Sequence, residues 1–351
     1  MPYARSTAGP FAVHDSIRDF RHQLEGCRLR PGEVCLILTD TLYDPVAATA
    51  CLTAAVELGA EAYVVTVPAT RPLPGSALAA AFSGAALVVA LTPHLVHYDS
   101  HLRAALDGGA RALMAVQPFH VARRLTYDPA IVARTRRGAA RLARARELRI
   151  TSPHGTDLRM RVEGRPALAH CGVADAPGHF DFWGGAMVEI AQHEGTTEGV
   201  LVLHRGDQVF HLGRYVDDDV AIRFEAGRAL AIEGGLDAWL IERHLASYGE
   251  PEAFMAGHVA WGTDHRALWT AGMVQFPEAG AGNADAEGFL GGVQVELGSN
   301  DDQYFRGAIR SRAHLGLVTL GASLDLDGER VIDGGRFVGA LAEDGGAPAR
   351  G

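Results

Sequence analysis

Two histidines sit in strand-like apolar settings at either end of a segment rich in glycine and acids. His258 lies in Gly257-His258-Val259-Ala260-Trp261-Gly262 and His314 in Ala313-His314-Leu315-Gly316. Neutral imidazole is the commonest protein metal ligand, so a fold that brought the two together could hold a metal ion. The plain alternative is a pair of core histidines satisfied by ordinary hydrogen bonds. Glu198 precedes Gly199 and the apolar run Val200 to Leu203. A carboxylate buried there would need a metal, an arginine or a raised pKa, and its ordinary role would be a salt bridge. His170 adjoins Cys171, but neighbours on a strand point to opposite faces, which argues against a nucleophilic pair. His94, in Thr92-Pro93-His94, falls in a strand-to-helix loop. Such loops line the ligand crevice at the carboxyl ends of parallel strands, so a substrate contact is expected of it. The acidic runs Asp217-Asp218-Asp219 and Asn300-Asp301-Asp302 lack the spacing of a calcium loop and read as solvated turns.

The elements that must position these groups change texture along the chain. After a helix carrying Ile17, Phe20 and Leu24, apolar strand-like runs at Val34 to Thr39, Ala62 to Val67, Ala86 to Leu91 and Arg111 to Val116 alternate with helical stretches. Alternation with short glycine-marked joints predicts a parallel sheet covered by helices. The turn after the first strand, Thr39 to Asp44, has no glycine to let a pyrophosphate approach a helix N-terminus, so no nucleotide is expected. A helix from about Pro129 to Glu147 carries an arginine-rich face and marks the expected domain boundary. From Leu148 the pattern turns to half-buried strands, among them Leu158 to Val162, Leu201 to Leu203, Val220 to Phe224 and Ala229 to Ile232, with a helix over Asp237 to Tyr248.

Composition narrows the function classes. A length of 351 residues suits two packed domains. A net charge of −10 disfavours nucleic acid and anionic membrane surfaces as partners. Every basic residue apart from histidine is arginine, and the absence of lysine rules out a Schiff base, a pyridoxal phosphate anchor and a phosphate-loop lysine. The four cysteines have no zinc-like spacing and read as free or buried thiols of a reducing compartment. No leader-like start and no apolar run of about 20 residues stand out, so a cytoplasmic protein is expected.

Four stretches of the second half resemble one family. They are Gly172-Val173-Ala174-Asp175-Ala176-Pro177-Gly178 with Asp181 and Trp183, Glu198 to Leu203 with Gly206-Asp207, His258 to Trp269, and His314-Leu315. In order and spacing they resemble the bacterial 2,5-dihydroxypyridine 5,6-dioxygenases, relatives of the aminopeptidase T metallopeptidases. The resemblance implies that fold, and a mononuclear non-haem iron held by two histidines and an aspartate with positions left open for substrate and oxygen. His258 matches the histidine of a His-x-x-Trp-Gly stretch, and His314-Leu315 match the start of a His-Leu-Asp motif. Where the aspartate should follow, this chain has Gly316. His170 stands where the dioxygenases carry an acid-base glutamate, Phe182 where they carry a histidine, and His94 matches a pocket histidine of the first domain. On the peptidase side Glu198 matches a metal-holding glutamate, while His258 and Gln294 replace other ligands and leave a two-metal clamp incomplete.

The expectation is an α/β fold of aminopeptidase T type. Residues 1–147 would form an N-terminal parallel-sheet domain, 148–340 a strand-rich α+β domain with the metal site, and 341–351 a disordered tail. His258 and His314 would hold a divalent metal, iron(II) first and zinc or manganese as alternatives. Asp264 is the expected third ligand, with Glu198 or Glu296 as other substitutes; an ordinary polar turn is the competing role for Asp264 and His265. His170, His94 and Glu198 are the candidate catalytic groups. The expected partner is a small polar or heteroaromatic substrate at the domain interface, with homo-oligomeric assembly. A metallohydrolase or lyase, and a metal-free binding protein, are the competing readings.

Overall fold

The computed structural model describes residues 10–69, 75–92, 96–117, 119–269, 284–301 and 304–342. It divides into two compact units: Met1–Val132 with His170–Gly185, and Ala133–Ala169 with Ala186–Gly351.

The first unit holds β1 (Val34–Asp40), β2 (Glu61–Val67), β3 (Leu87–Leu91), β4 (Arg111–Met114) and the later β8 (Phe180–Phe182), in the order β2-β1-β3-β4-β8, all neighbours parallel. The four strands expected in one sheet share it. Helix α1 (Pro10–Gly26) precedes β1, and α2 (Pro45–Glu57), α3 (Gly75–Ser83) and α4 (Ser100–Asp107) lie in the connections from β1 to β4. Local chemistry sets their starts: Asp44 accepts the Val46 N–H ahead of Pro45, and Asp99 accepts those of His101 and Leu102, which satisfies amides that a helix N-terminus leaves without partners. β3 is buried throughout and β1 nearly so, as expected of strands covered on both faces. β2, at the edge, exposes Tyr63 and Val64. Phe20 of α1 stacks on Phe119 at 4.7 Å, and Trp183 meets both rings edge-on at 5.1 and 5.9 Å.

The second unit is a pair of antiparallel sheets. Its strands are β5 (Glu147–Thr151), β6 (Asp157–Arg161), β7 (Ala167–His170), β9 (Met187–Ile190), β10 (Glu198–Leu203), β11 (Gln208–Val209), β12 (Arg214–Tyr215), β13 (Val220–Glu225), β14 (Arg228–Gly234), β15 (Ala256–Gly262), β16 (Val293–Gly298), β17 (His314–Thr319), β18 (Ser323–Leu326), β19 (Glu329–Asp333) and β20 (Arg336–Phe337). One sheet runs β14-β13-β10-β6-β5-β18-β19-β20 and the other β12-β11-β17-β16-β15-β9-β7. Alternation explains the pairing of faces. In β6 Leu158 and Met160 point inward while Asp157, Arg159 and Arg161 face out. Leu158, Ile150, Leu201 and Ile222 of one sheet join Val259, Trp261, Val295 and Leu317 of the other in a continuous core.

The contiguous division at residue 147 needs correcting. The first crossing falls inside the helix Pro129–Leu142, and residues 170–185 return to the first unit because β8 pairs with β4 in its parallel sheet. Leu341, where the tail was expected to begin, is instead buried in the core, and the rest of that stretch from 343 onward lies outside the described residues. No helix among the described residues is long and apolar enough to cross a membrane.

All four cysteines are free and buried. Burial pushes the Cys27 and Cys35 thiols up to about 12 and raises Cys51 as well. At pH 8 the native protein should therefore consume a thiol reagent such as Ellman's slowly, and four equivalents promptly in denaturant. Unfolded thiols ionise near about 8.5, so the sign of the linkage is a loss of stability as pH rises above that value. Rapid labelling of native Cys27, Cys35 or Cys51 would contradict this.

Candidate metal centre

β15, β16 and β17 are successive neighbours in the seven-stranded sheet, and each supplies one candidate ligand. Glu296 lies opposite His258 on one side and Gly316 on the other, while Gly298 lies opposite His314. Val293, Val295 and Leu297 enter the core, so Gln294 and Glu296 occupy the other face of β16; on β17 Leu315 and Leu317 leave His314 and Gly316 on that same face.

β15 needs one additional device. Ala256 faces the core opposite Leu297, and unbroken alternation would set Gly257 against Glu296 and His258 against Val295, facing the core. Instead the register slips at Gly257. This bulge brings His258 opposite Glu296 and returns Val259 and Trp261 to the core. Glycine suits the position, since a Cβ there would lie 3.0 Å from the Gly298 carbonyl oxygen and 3.3 Å from that of Ser299. Asn300 Nδ2 donates to the Gly257 carbonyl at 3.0 Å.

One potential ligand atom from each of His258, Glu296 and His314 lies within 4.8 Å of the other two. His314 Nε2 is 3.3 Å from Glu296 Oε2, and the two imidazole centroids are 5.4 Å apart. Phe305 stacks on His258 at 4.4 Å, and Glu189 of β9, opposite Ala260, places Oε2 3.8 Å from His258 Nε2. His258, Glu296 and Glu189 are buried, whereas the His314 side chain is 42% exposed, so the cluster opens to solvent on that side. Burial opposes a charged His314, but the carboxylates of Glu296, then Glu287 and Glu189, outweigh it and hold its pKa above the ordinary value. A field that favours a proton there also favours a divalent cation. The donor set passes the same test, since two imidazoles and one carboxylate are the ligands of the facial triad of non-haem iron and of many zinc sites.

Of the three carboxylates that the sequence offers, the structure brings Glu296 to the histidines. Asp264, the expected third ligand, is instead clasped by Arg266 through Nε at 3.0 Å and Nη2 at 2.8 Å. An arginine two residues away satisfies it locally. His265 is exposed, with Nδ1 3.4 Å from Arg134 Nη1. Glu198 is also corrected: it is exposed, because Leu201 and Leu203 take the core face of β10 and alternation turns residue 198 outward, where it accepts the Ala226 N–H at 2.8 Å. His94 lies outside the described residues. Glu189 and Phe305 were missed; the single carboxylate within Met187-Val188-Glu189-Ile190 was the available signal for the former.

His170 belongs to the first unit and forms a dyad there. Its Nδ1 is 3.2 Å from Asp181 Oδ1. The Asp181 carboxylate also accepts the N–H groups of Cys171 at 2.8 Å, Val173 at 3.1 Å and Phe182 at 2.8 Å, which fixes its orientation. With the carboxylate as acceptor, Nδ1 donates, and the neutral ring keeps its lone pair on Nε2. Phe180 and Phe182 flank the ring at 5.8 and 5.5 Å, and His97 stacks on Phe180 at 5.0 Å.

The family model described as NicX, 2,5-dihydroxypyridine 5,6-dioxygenase, matches residues 15–339. The chain belongs to this family. A curated 2,5-dihydroxypyridine 5,6-dioxygenase of Pseudomonas putida is 27% identical over 335 residues, spanning 91% of this chain and 95% of the relative. A solved structure of 2,5-dihydroxypyridine dioxygenase from Pseudomonas putida superposes with a TM-score of 0.86 at 26% identity, covering 94% of this chain and 98% of that one. AmpT from Thermus thermophilus, at 16% identity and a TM-score of 0.64 over 93% of this chain and 99% of its own, shares the fold. Within the 2,5-dihydroxypyridine 5,6-dioxygenase family this chain is a relative in which Glu296 of β16 joins the two histidines.

Proposed function

We propose that this protein is a mononuclear metal-dependent dioxygenase that opens the ring of a small hydroxylated heteroaromatic compound. The observation that carries the reading is the convergence of His258, Glu296 and His314 on one sheet face, in a chain of the dioxygenase family. These three residues would hold the metal; iron(II), when bound, would supply the redox chemistry with oxygen that ring opening requires. Buried His258 and Glu296 fix two donors against the sheet, and half-exposed His314 leaves the approach open. Phe305 offers an apolar ring beside His258. His170, with its lone pair on Nε2 and Asp181 behind it, is suited to accept a proton from a ring hydroxyl and return it later.

The direct test reconstitutes the purified chain anaerobically with iron(II) and supplies 2,5-dihydroxypyridine as the first probe. Oxygen uptake matched to loss of the ring absorbance is the expected result. The same ligand set suits zinc hydrolysis, so a zinc-loaded sample assayed on peptides is the comparison. Hydrolysis by that sample, with no oxygen uptake by the iron form across a panel of hydroxypyridines, would overturn the proposal in favour of a metallohydrolase.

A further inference from the structure

Gly316 lies directly across the strand pair from Glu296, and a Cβ built on it would stand 2.7 Å from Glu296 Oε1 and 3.2 Å from both Cδ and Oε2. The Glu296 carboxylate thus occupies the space that a side chain at residue 316 would fill. The obstructing atoms are the far end of a flexible side chain, so a larger residue at 316 could be accommodated by swinging the carboxylate aside. The cost would fall on the position of that carboxylate more than on the fold. Two facing residues of adjacent strands therefore share one carboxylate-sized volume beside His258 and His314.

We infer that residues 296 and 316 form a single carboxylate position that can be served from either strand, and that in this chain Gly316 is the positioning residue that admits Glu296 as the metal ligand. The inference rests on the metal-centre reading above and adds to it. Glycine at 316 is required for the space it leaves and not for its backbone conformation, since its φ is outside the left-handed region. A glutamate reaching from β16 and a shorter acid projecting from β17 would be interchangeable, and only one of them would fit at a time. Metal affinity should then depend on the pair, non-additively.

The test measures equilibrium binding of manganese(II) and zinc by the full chain, with thermal melts as a folding control. E296A is expected to weaken binding by about a hundredfold, as for a lost ligand, and G316A by about tenfold, as for a displaced one. G316D alone should bring no gain over wild type, since two acids would compete for one volume. The double substitution G316D/E296A should recover most of the affinity that E296A loses. The manganese(II) electron paramagnetic resonance spectrum gives a second readout of the ligand set. Should H258A abolish metal binding while E296A and G316A leave it intact, the shared position is wrong and the metal centre stands. Should H258A and H314A both bind metal as wild type does, the metal-centre reading itself fails. A double variant that folds and binds no better than E296A also overturns the inference. If G316D fails to fold, the contrast between G316A and E296A still decides, because a purely structural glycine would lower the melting temperature without changing the affinity of the folded protein.

Discussion

Alanine at His258 is expected to strip the protein of its metal. The imidazole is buried, stacked on Phe305, and the donor that the Gly257 bulge turns toward Glu296. With it gone only His314 and Glu296 remain of the converging set. Substitutions that merely loosen a ligand cost tenfold to a hundredfold in metal affinity, so removing one of three donors should cost about a hundredfold or more. Thermal melts offer an independent readout. A metal that binds only the folded state raises the melting temperature of the wild type in proportion to the logarithm of its concentration. The H258A variant should melt at one temperature with or without metal. An unchanged metal-dependent shift would exclude His258 from the site.

The second large effect is expected at Asp181. Its carboxylate accepts three backbone N–H groups and faces His170 Nδ1. Asparagine at this position has one acceptor oxygen in place of two, and its amide would offer His170 a donor, favouring the opposite tautomer. Turnover by the loaded enzyme should fall about 10²- to 10⁴-fold, the range associated with losing an acid-base group or its correct tautomer. Metal content should stay at the wild-type level. Stability should drop as well, by about 1–3 kcal/mol for a backbone donor left without its acceptor. His170→Gln separates the two effects, because it removes the base and leaves the Asp181 cradle in place. Wild-type turnover in a folded His170→Gln protein would sink the acid-base role.

Much of the architecture was legible in the sequence. The parallel sheet follows from strands whose neighbours in sequence are helices with well-formed caps, as at Asp44 and Asp99. The return of residues 170–185 to that sheet was hidden because β8 is only the three residues Phe180–Phe182, too short to show a period. The two converging histidines were singled out by the resemblance of their stretches to the family's motifs, since an apolar strand setting alone suits an ordinary core histidine equally well. Their third partner was not singled out, because sequence separation says little about which residues face each other across strands. Glu296 is 38 positions from His258 and 18 from His314 along the chain, yet directly opposite the first and beside the second in the sheet. Asp264, close in sequence, was the natural guess, and a neighbouring arginine takes it up instead. Glu198 was read from its apolar neighbours, whereas the side of β10 that it occupies depends on the phase of the strand.

The bulge at Gly257 makes His258 a matter of parity. Along a regular strand, odd and even positions answer to opposite faces, and the extra residue exchanges them for everything that follows. Straightening the strand with Gly257 kept would send the imidazole into the core and turn Val259 toward the carboxylates. Deleting Gly257 would instead let His258 follow Ala256 in plain alternation and stay opposite Glu296. In this strand the length of the spelling therefore matters as much as the letters, and regular pairing of Gly257 should be worse for the site than its loss. Anyone grafting the three-strand module of residues 256–262, 293–298 and 314–319 onto another antiparallel sheet could either carry the bulge whole or drop its glycine, but could not keep the glycine in regular pairing.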